Sequence, residues 1–413
     1  MTNFQLAASL VTLTAGLAFA NAKLWKLPSS VGLMATALIS SLALIVLDEL
    51  GALAVSSRVR DLVGQLDFGN TLLHGMLGLL LFAGALHIDL DDLGEEKAAV
   101  GLLALGGTVI STAVVGAAMF AGLAALGLPV RWIDALLFGA LISPTDPIAV
   151  LGMLKSAGAP RRLETRIAGE SLFNDGVGVV VFTVLLAVER GHGAAWTDAA
   201  LLFLREAVGG ALFGGVTGYA ALRLLRSIDD SSVEVLITLA LVVGGYTAAE
   251  LLHVSAPIGA VVAGLVIGNH GAPAMSAATK LHIDVFWKLV DDILNAVLFL
   301  MIGLIVFVIP VSGGAAATSV LAIAVVLGGR WLAVTACTLT VPAIHRAIPH
   351  SVKLLTWGGL RGGLSIAMAL ALPAIPGRER FVVMTYAVVA FSILVQGLSF
   401  GPLLRRLGVG ASR

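Results

Sequence analysis

Glu170, Ser171, Asn174 and Asp175 put four polar or charged side chains into Gly169–Gly176, a stretch that runs directly into the apolar residues 177–188. On a helix over 163–188, Ser171 and Asp175 are i,i+4 neighbours on one face, and Glu170 and Asn174 form a second such pair beside it. At 1.5 Å per residue that helix is about 39 Å long and carries Asp175 about 18 Å in, near the middle of a bilayer. A carboxylate in hydrocarbon costs several kcal/mol unless it is paired, protonated or bound to a cation. The chemistry open to Asp175 is therefore to hold a proton or a cation in turn; the plainer alternative is a helix cap or a polar clamp between helices.

Two further stretches put charge at the same depth. Ser143-Pro144-Thr145-Asp146-Pro147 lies at the centre of a hydrophobic run. Each proline removes a helical donor and clashes with the turn before it, so the helix should open there. Asp146 ahead of Pro147 reads as an N-cap with proline at the first helical position. Gly358-Gly359-Leu360-Arg361-Gly362-Gly363 places four glycines around one arginine in a second run. Breaks at corresponding places in two halves of a membrane protein point to a transporter's substrate site. Asp146 can balance an exposed helix N-terminus and Arg361 an exposed C-terminus, or either can contact the ligand. Glu170 also needs a partner, and depth alone pairs it with Arg361.

The elements that carry these residues are membrane helices. Of 413 residues, 58% are hydrophobic and 12% charged, about half the charge of ordinary soluble domains. The formal net charge is zero, so no basic surface suggests nucleic acid. Cys337, the single cysteine, excludes an intrachain disulfide. Residues 1–22 lack a basic segment before their apolar run and read as a first span rather than a cleaved signal.

Hydropathy gives an all-α integral membrane protein with about 13 spans, near 5–21, 30–48, 70–88, 98–125, 132–154, 163–188, 200–225, 233–251, 255–269, 290–309, 314–341, 352–372 and 381–403. Residues 273–288 read as an amphipathic interfacial helix ahead of the tenth span. The acidic run Asp89–Glu96 reads as a solvated loop. The basic run 155–166 reads as a topology signal. Numbering the sides alternately, sixteen lysines and arginines gather on one side and seven on the other, with Arg330 and Arg361 inside spans. That bias puts the N-terminus outside and the C-terminus in the cytoplasm. Thirteen spans permit two inverted six-helix repeats, in which span 5 corresponds to span 12.

Together, Pro-Thr-Asp-Pro in span 5, Glu-Ser-x-x-Asn-Asp in span 6 and Gly-Leu-Arg-Gly-Gly in span 12 resemble the cation/proton antiporter-1 family, and within it the NhaP-type sodium/proton antiporters. The resemblance implies a homodimer in the plasma membrane, working in pH homeostasis, with crossed broken helices 5 and 12. It implies scaffold and interface helices over 1–96, transport core over 97–190, linker and scaffold over 191–310, and core again over 311–413. It implies that Asp175 alternately holds proton and cation, that Ser171, Thr145 and Asp146 help coordinate the ion, and that Glu170, Asn174 and Arg361 brace the site. Some relatives carry an acid in span 3, where this chain has Leu81-Phe82-Ala83-Gly84; a ligand from that helix is not expected.

A hard monovalent cation wants oxygen donors, which the hydroxyls of Ser171 and Thr145 and carbonyls freed at the break supply. Burial disfavours the charged carboxylate, and a proton or a sodium ion each offsets that charge, so the two compete. Exchange of one proton per cation is expected, because Asn174 stands where a second acid could have stood; titration of Asp146 as well would raise that ratio. Neither ATP nor a cofactor is expected, since no Walker-type match is present. An enzyme is not expected either, since His-Glu-x-x-His is absent. A symporter of an organic anion on the same fold is the nearest rival reading; a channel is a more distant one, since no repeated pore loop is present.

Overall fold

The structure is a computed structural model, and it describes residues 3–50, 63–64, 67–191, 196–271, 277–309, 314–341 and 348–409. Arg58, Arg60, Arg346 and Arg413, which count in the charge bias, lie outside the described residues. The described residues fold entirely as helices and their connections, with no strand among them. Inside a bilayer each backbone donor and acceptor must be satisfied within the chain, and helices do this segment by segment.

Among the described residues, ten helices are long and apolar enough to cross a membrane, which makes the chain a multi-pass membrane protein. Three further apolar helices are shorter: Trp132–Ile142, Ile148–Ala157 and Ala256–His270. Helix occupies each of the thirteen stretches named above, two of them interrupted. One interruption separates Trp132–Ile142 from Ile148–Ala157; the other separates Ser351–Trp357 from Gly363–Leu370.

The short Ala256–His270 helix is wedged between Trp196–Leu225 and Leu77–Leu86. Glycines make that wedge possible. A side-chain carbon on Gly264 would sit 2.7 Å from the Phe82 carbonyl, and Gly268 faces the main chain of Leu86. On the other side, Gly210 and Gly214 meet the main chain at Ser255 and Gly259. Small residues at this spacing let membrane helices approach backbone to backbone. A second group packs around the two interruptions: Thr108–Ala125 against Trp132–Ile142, and Ala315–Thr340 against both Thr108–Ala125 and Arg378–Phe391. The Arg161–Glu189 helix packs against Leu90–Gly101 and Trp132–Ile142 within that group, and also reaches the wedge helix.

Two expectations are corrected here. Residues 277–304 form one unbroken helix rather than an interfacial helix followed by a span. No glycine or proline falls between 277 and 302 to end it. The acidic run is not a loop either. Asp89 caps the Leu90–Gly101 helix, its Oδ1 accepting from the backbone of Asp91 at 2.8 Å, and the acids that follow lie on that helix. They face the basic turn opening the Arg161–Glu189 helix. Arg162 bonds Glu95 at 2.7 Å, and the buried Arg166 bonds the buried Glu96 at 2.6 Å. The basic run thus also clamps two helices together.

Candidate functional site

At the first interruption the chain leaves the helix after Ile142 and re-enters it at Ile148, as the paired prolines dictate. Carbonyls at the end of the Trp132–Ile142 helix lose their helical partners. Arg361 replaces them: its guanidinium donates to the carbonyl oxygens of both Ser143 and Pro144. This arginine, buried in the second interruption, neutralises the negative end of the first broken helix. Asp146 performs the complementary task, its Oδ1 accepting from the backbone N–H of Ile148 at 3.0 Å. The interruptions also bond directly, the N–H of Asp146 donating to the carbonyl of Leu360 at 2.8 Å.

The glycines around Arg361 are there for close approach. A side-chain carbon on Gly362 would collide with the Asp146 carboxylate, and one on Gly359 would lie 2.6 Å from Nε of Arg330. Gly362→Ala is accordingly expected to displace Asp146 and to slow transport by about tenfold, since misplacing a reacting group by about 1 Å can cost more than that. Initial rates in reconstituted vesicles check this, with Gly16→Ala, which meets open space, as the control.

The Arg161–Glu189 helix brings its polar face against the first interruption. Thr145 Oγ1 and Ser171 Oγ are 3.0 Å apart and share a hydrogen bond. Asn174 grips the same residue twice: Nδ2 donates to Thr145 Oγ1 at 2.8 Å, and Oδ1 accepts from the Thr145 N–H at 3.1 Å. That side chain therefore satisfies a donor which the proline break had orphaned. Gly178, one turn on, leaves room for Pro144. Asp175 is different. Its carboxylate has no hydrogen-bond or ion-pair partner among the described residues, and it faces a cavity of about 190 Å³ lined also by Thr145, Asp146, Gly362 and Ser365. Thr145, Asp146 and Asp175 thus share one chamber, whereas Ser171 is buried behind Thr145 and reaches it only through that hydroxyl.

The expected ion pair between Glu170 and Arg361 is not formed. Glu170 pairs with Arg330 on the Ala315–Thr340 helix, both side chains being almost fully buried. Arg330 also donates through Nε and Nη2 to the Leu355 carbonyl at 3.2 and 3.0 Å, near the end of the Ser351–Trp357 helix. Each broken helix therefore has its own arginine at its negative end, and only one of the two needs a carboxylate. Packing separates the two arginines, because Arg361, in the interruption itself, donates across the crossing to the Ser143 carbonyl. The signal available in sequence was that Arg330, like Arg361, falls in the middle of a span.

Three polar cavity residues were not anticipated from the sequence: Asp291, Asn295 and Ser365. Asp291 and Asn295, at i,i+4 on the Ala277–Leu304 helix, line the chamber that holds Asp146 and Asp175. Asp291 lay at the expected edge of a span, where a charge is unremarkable. Leu80, Leu81 and Gly84 line the span 3 side of the chamber, so no carboxylate comes from there.

A membrane protein in which two main-chain interruptions bond to each other beside an unpartnered carboxylate is built as a secondary carrier of small ions. Residues 9–406 match the family described as sodium/hydrogen exchanger, transmembrane. Among similar proteins, the Na(+)/H(+) antiporter NhaP of Pseudomonas aeruginosa is 47% identical over 412 residues, covering 98% of this chain and 97% of that protein. The Na(+)/H(+) antiporter NhaH of Halobacillus dabanensis is 38% identical, covering 94% of each. The solved structure of the sodium proton antiporter MjNhaP1 from Methanocaldococcus jannaschii superposes with a TM-score of 0.77 over 98% of this chain and 99% of that one. At 17% identity that likeness speaks to the fold alone. The chain belongs to the sodium/hydrogen exchanger family.

Proposed function

We propose that this chain exchanges a monovalent cation, sodium or else lithium or potassium, for protons by alternating access, with proton and cation competing for Asp175. The observation that carries the reading is the unpartnered Asp175 carboxylate in a chamber where two interrupted helices meet. Family membership and the named relatives favour exchange over symport of an organic anion.

Cargo contacts follow from the oxygens at hand. Asp175 supplies the charge, and Asp146 and Thr145 add oxygens from the facing break. Ser171 and Asn174 hold Thr145 in place, Glu170 and Arg330 fix the helix behind it, and Arg361 keeps the crossing neutral. Neither ATP nor a cofactor enters the scheme. An empty site carries a net negative charge, which a hydrophobic barrier resists; a site holding either a proton or a cation does not. That difference couples the two fluxes. One proton exchanges per cation, with Asn174 beside Asp175 instead of a second acid. Residues 97–190 and 311–413 form the moving core and the remainder the scaffold, as two inverted six-helix repeats within thirteen spans. The protein works as a homodimer in the plasma membrane, with the N-terminus outside and the C-terminus cytoplasmic, in keeping with the bias of basic residues.

Proton movement in proteoliposomes on adding sodium, lithium or potassium tests the reading. Cation-dependent proton efflux is expected, and its order among the three ions gives the preference. No flux from folded protein across a range of pH would overturn exchange. A valinomycin-clamped potential that drives sodium exchange without pH or sodium gradients would overturn the one-for-one ratio.

A further inference from the structure

We propose that Asp291 and Asn295, with Ser365 across the chamber, form a second station for a partly hydrated monovalent cation, held there before or after it is held by Asp175. The proposal deepens the exchange reading and rests on it.

Asp291 and Asn295 lie one helical turn apart on the Ala277–Leu304 helix, and both face the chamber. Their side chains are joined, Nδ2 of Asn295 donating to Oδ1 of Asp291 at 2.9 Å. That bond leaves the Asn295 carbonyl oxygen over. Asn295 is 6% exposed and its Oδ1 has no partner. Ser365 is 1% exposed, lines the same chamber, and its hydroxyl has no partner either. Buried oxygens without a hydrogen bond are costly, and natural structures keep few of them without a use. Here two of them belong to residues that line the same chamber as Asp291.

The charges around this space point to a cation. The chamber is lined by three carboxylates, those of Asp146, Asp175 and Asp291, and by no lysine or arginine. Like charges in a poorly polarisable cavity repel strongly, and a mobile cation relieves the repulsion. The other ionisable neighbours of Asp291 are Asp292 beside it and His87 at the end of the facing helix. Asp291 acts electrostatically on Asp146, and Asp146 in turn on Asp175. No cluster of three or more acids, histidines and cysteines that could chelate a metal ion occurs among the described residues. A carboxylate, an amide oxygen and a hydroxyl, completed by water, instead suit weak and reversible holding of a hard monovalent ion.

Equilibrium binding of radioactive sodium, combined with exchange kinetics, tests the station. Purified Asp175→Ala is expected to keep one weaker sodium site, which the Asp175→Ala/Asp291→Asn double variant loses. In the otherwise intact chain, Asp291→Asn is expected to raise the KM for sodium at least about fivefold, more than it lowers the maximal rate, and Asp291→Glu to restore part of the loss. Should Asp291→Asn fail to fold, Asn295→Ala takes its place with the same readouts. No residual binding in Asp175→Ala, or a KM within about twofold of the parent, would overturn the second station. A parent chain that moves no protons on adding sodium would instead remove the exchange reading itself, so the two failures are told apart.

Discussion

Replacing Asp175 with alanine is expected to bring sodium-dependent proton movement in proteoliposomes down to that of protein-free vesicles, and Asp175→Asn to do the same. The two variants fail for one reason. A side chain that cannot alternate between charged and neutral cannot exchange one cargo for the other, however well the rest of the chamber is built. Asparagine keeps the volume and one oxygen, so its failure would locate the defect in charge rather than in packing. Stability should hardly suffer, because the carboxylate has no partner to lose and a buried unpaired charge opposes folding. A thermal transition at or above that of the parent is therefore expected alongside the loss of flux. Exchange surviving in Asp175→Ala would keep antiport but move its centre elsewhere, with Asp146 next in line.

The opposite profile is expected for the pair behind the site. Arg330→Met leaves Glu170 charged, buried and unpaired and strips the Leu355 carbonyl of its donors, a loss of about 3–5 kcal/mol for breaking such a pair. Thermal unfolding in detergent should show a transition lowered by several degrees. Glu170→Gln/Arg330→Met removes both charges together and should recover much of that loss, since a buried pair is worth far less as a pair than its breakage costs. Arg361 provides the contrast. Exchanging Glu170 with Arg361 should restore nothing, because the two do not meet; exchanging Glu170 with Arg330 should restore more. A double variant no more stable than Arg330→Met would mean that the Leu355 contact, not the ion pair, holds this part of the fold.

Much of this was legible in the sequence because membrane depth is written along a helix at a fixed rise per residue. Depth located the proline break, the glycine break and the Asp175 turn at one level, and it separated a polytopic membrane protein from a soluble one. The proline pair also announced its own consequence, since the carbonyls it orphans must find donors. Facing was not legible. Two arginines lie in the middle of spans, and only packing decides which of them meets Glu170: Gly359 admits the Arg330 side chain beside the second break. Asp291 was hidden differently, because a charge near the end of an apolar run looks like an ordinary boundary until the helix proves to extend a dozen residues further back. The acidic run misled for the same reason. Its charges suit water equally well as a loop or as the first turns of a helix, and only the arginines opposite choose the helix.

The bond from the Asp146 N–H to the Leu360 carbonyl belongs to the main chain, and that bears on how the protein can vary. Side chains mutate one at a time, but no substitution short of proline deletes a backbone donor. The joint between the two breaks is thus shielded from drift, while the oxygens of Thr145, Ser365, Asp291 and Asn295 around it can be exchanged singly. Among descendants of this chain, divergence in ion preference should accumulate on the chamber wall, with the crossing itself inherited unchanged.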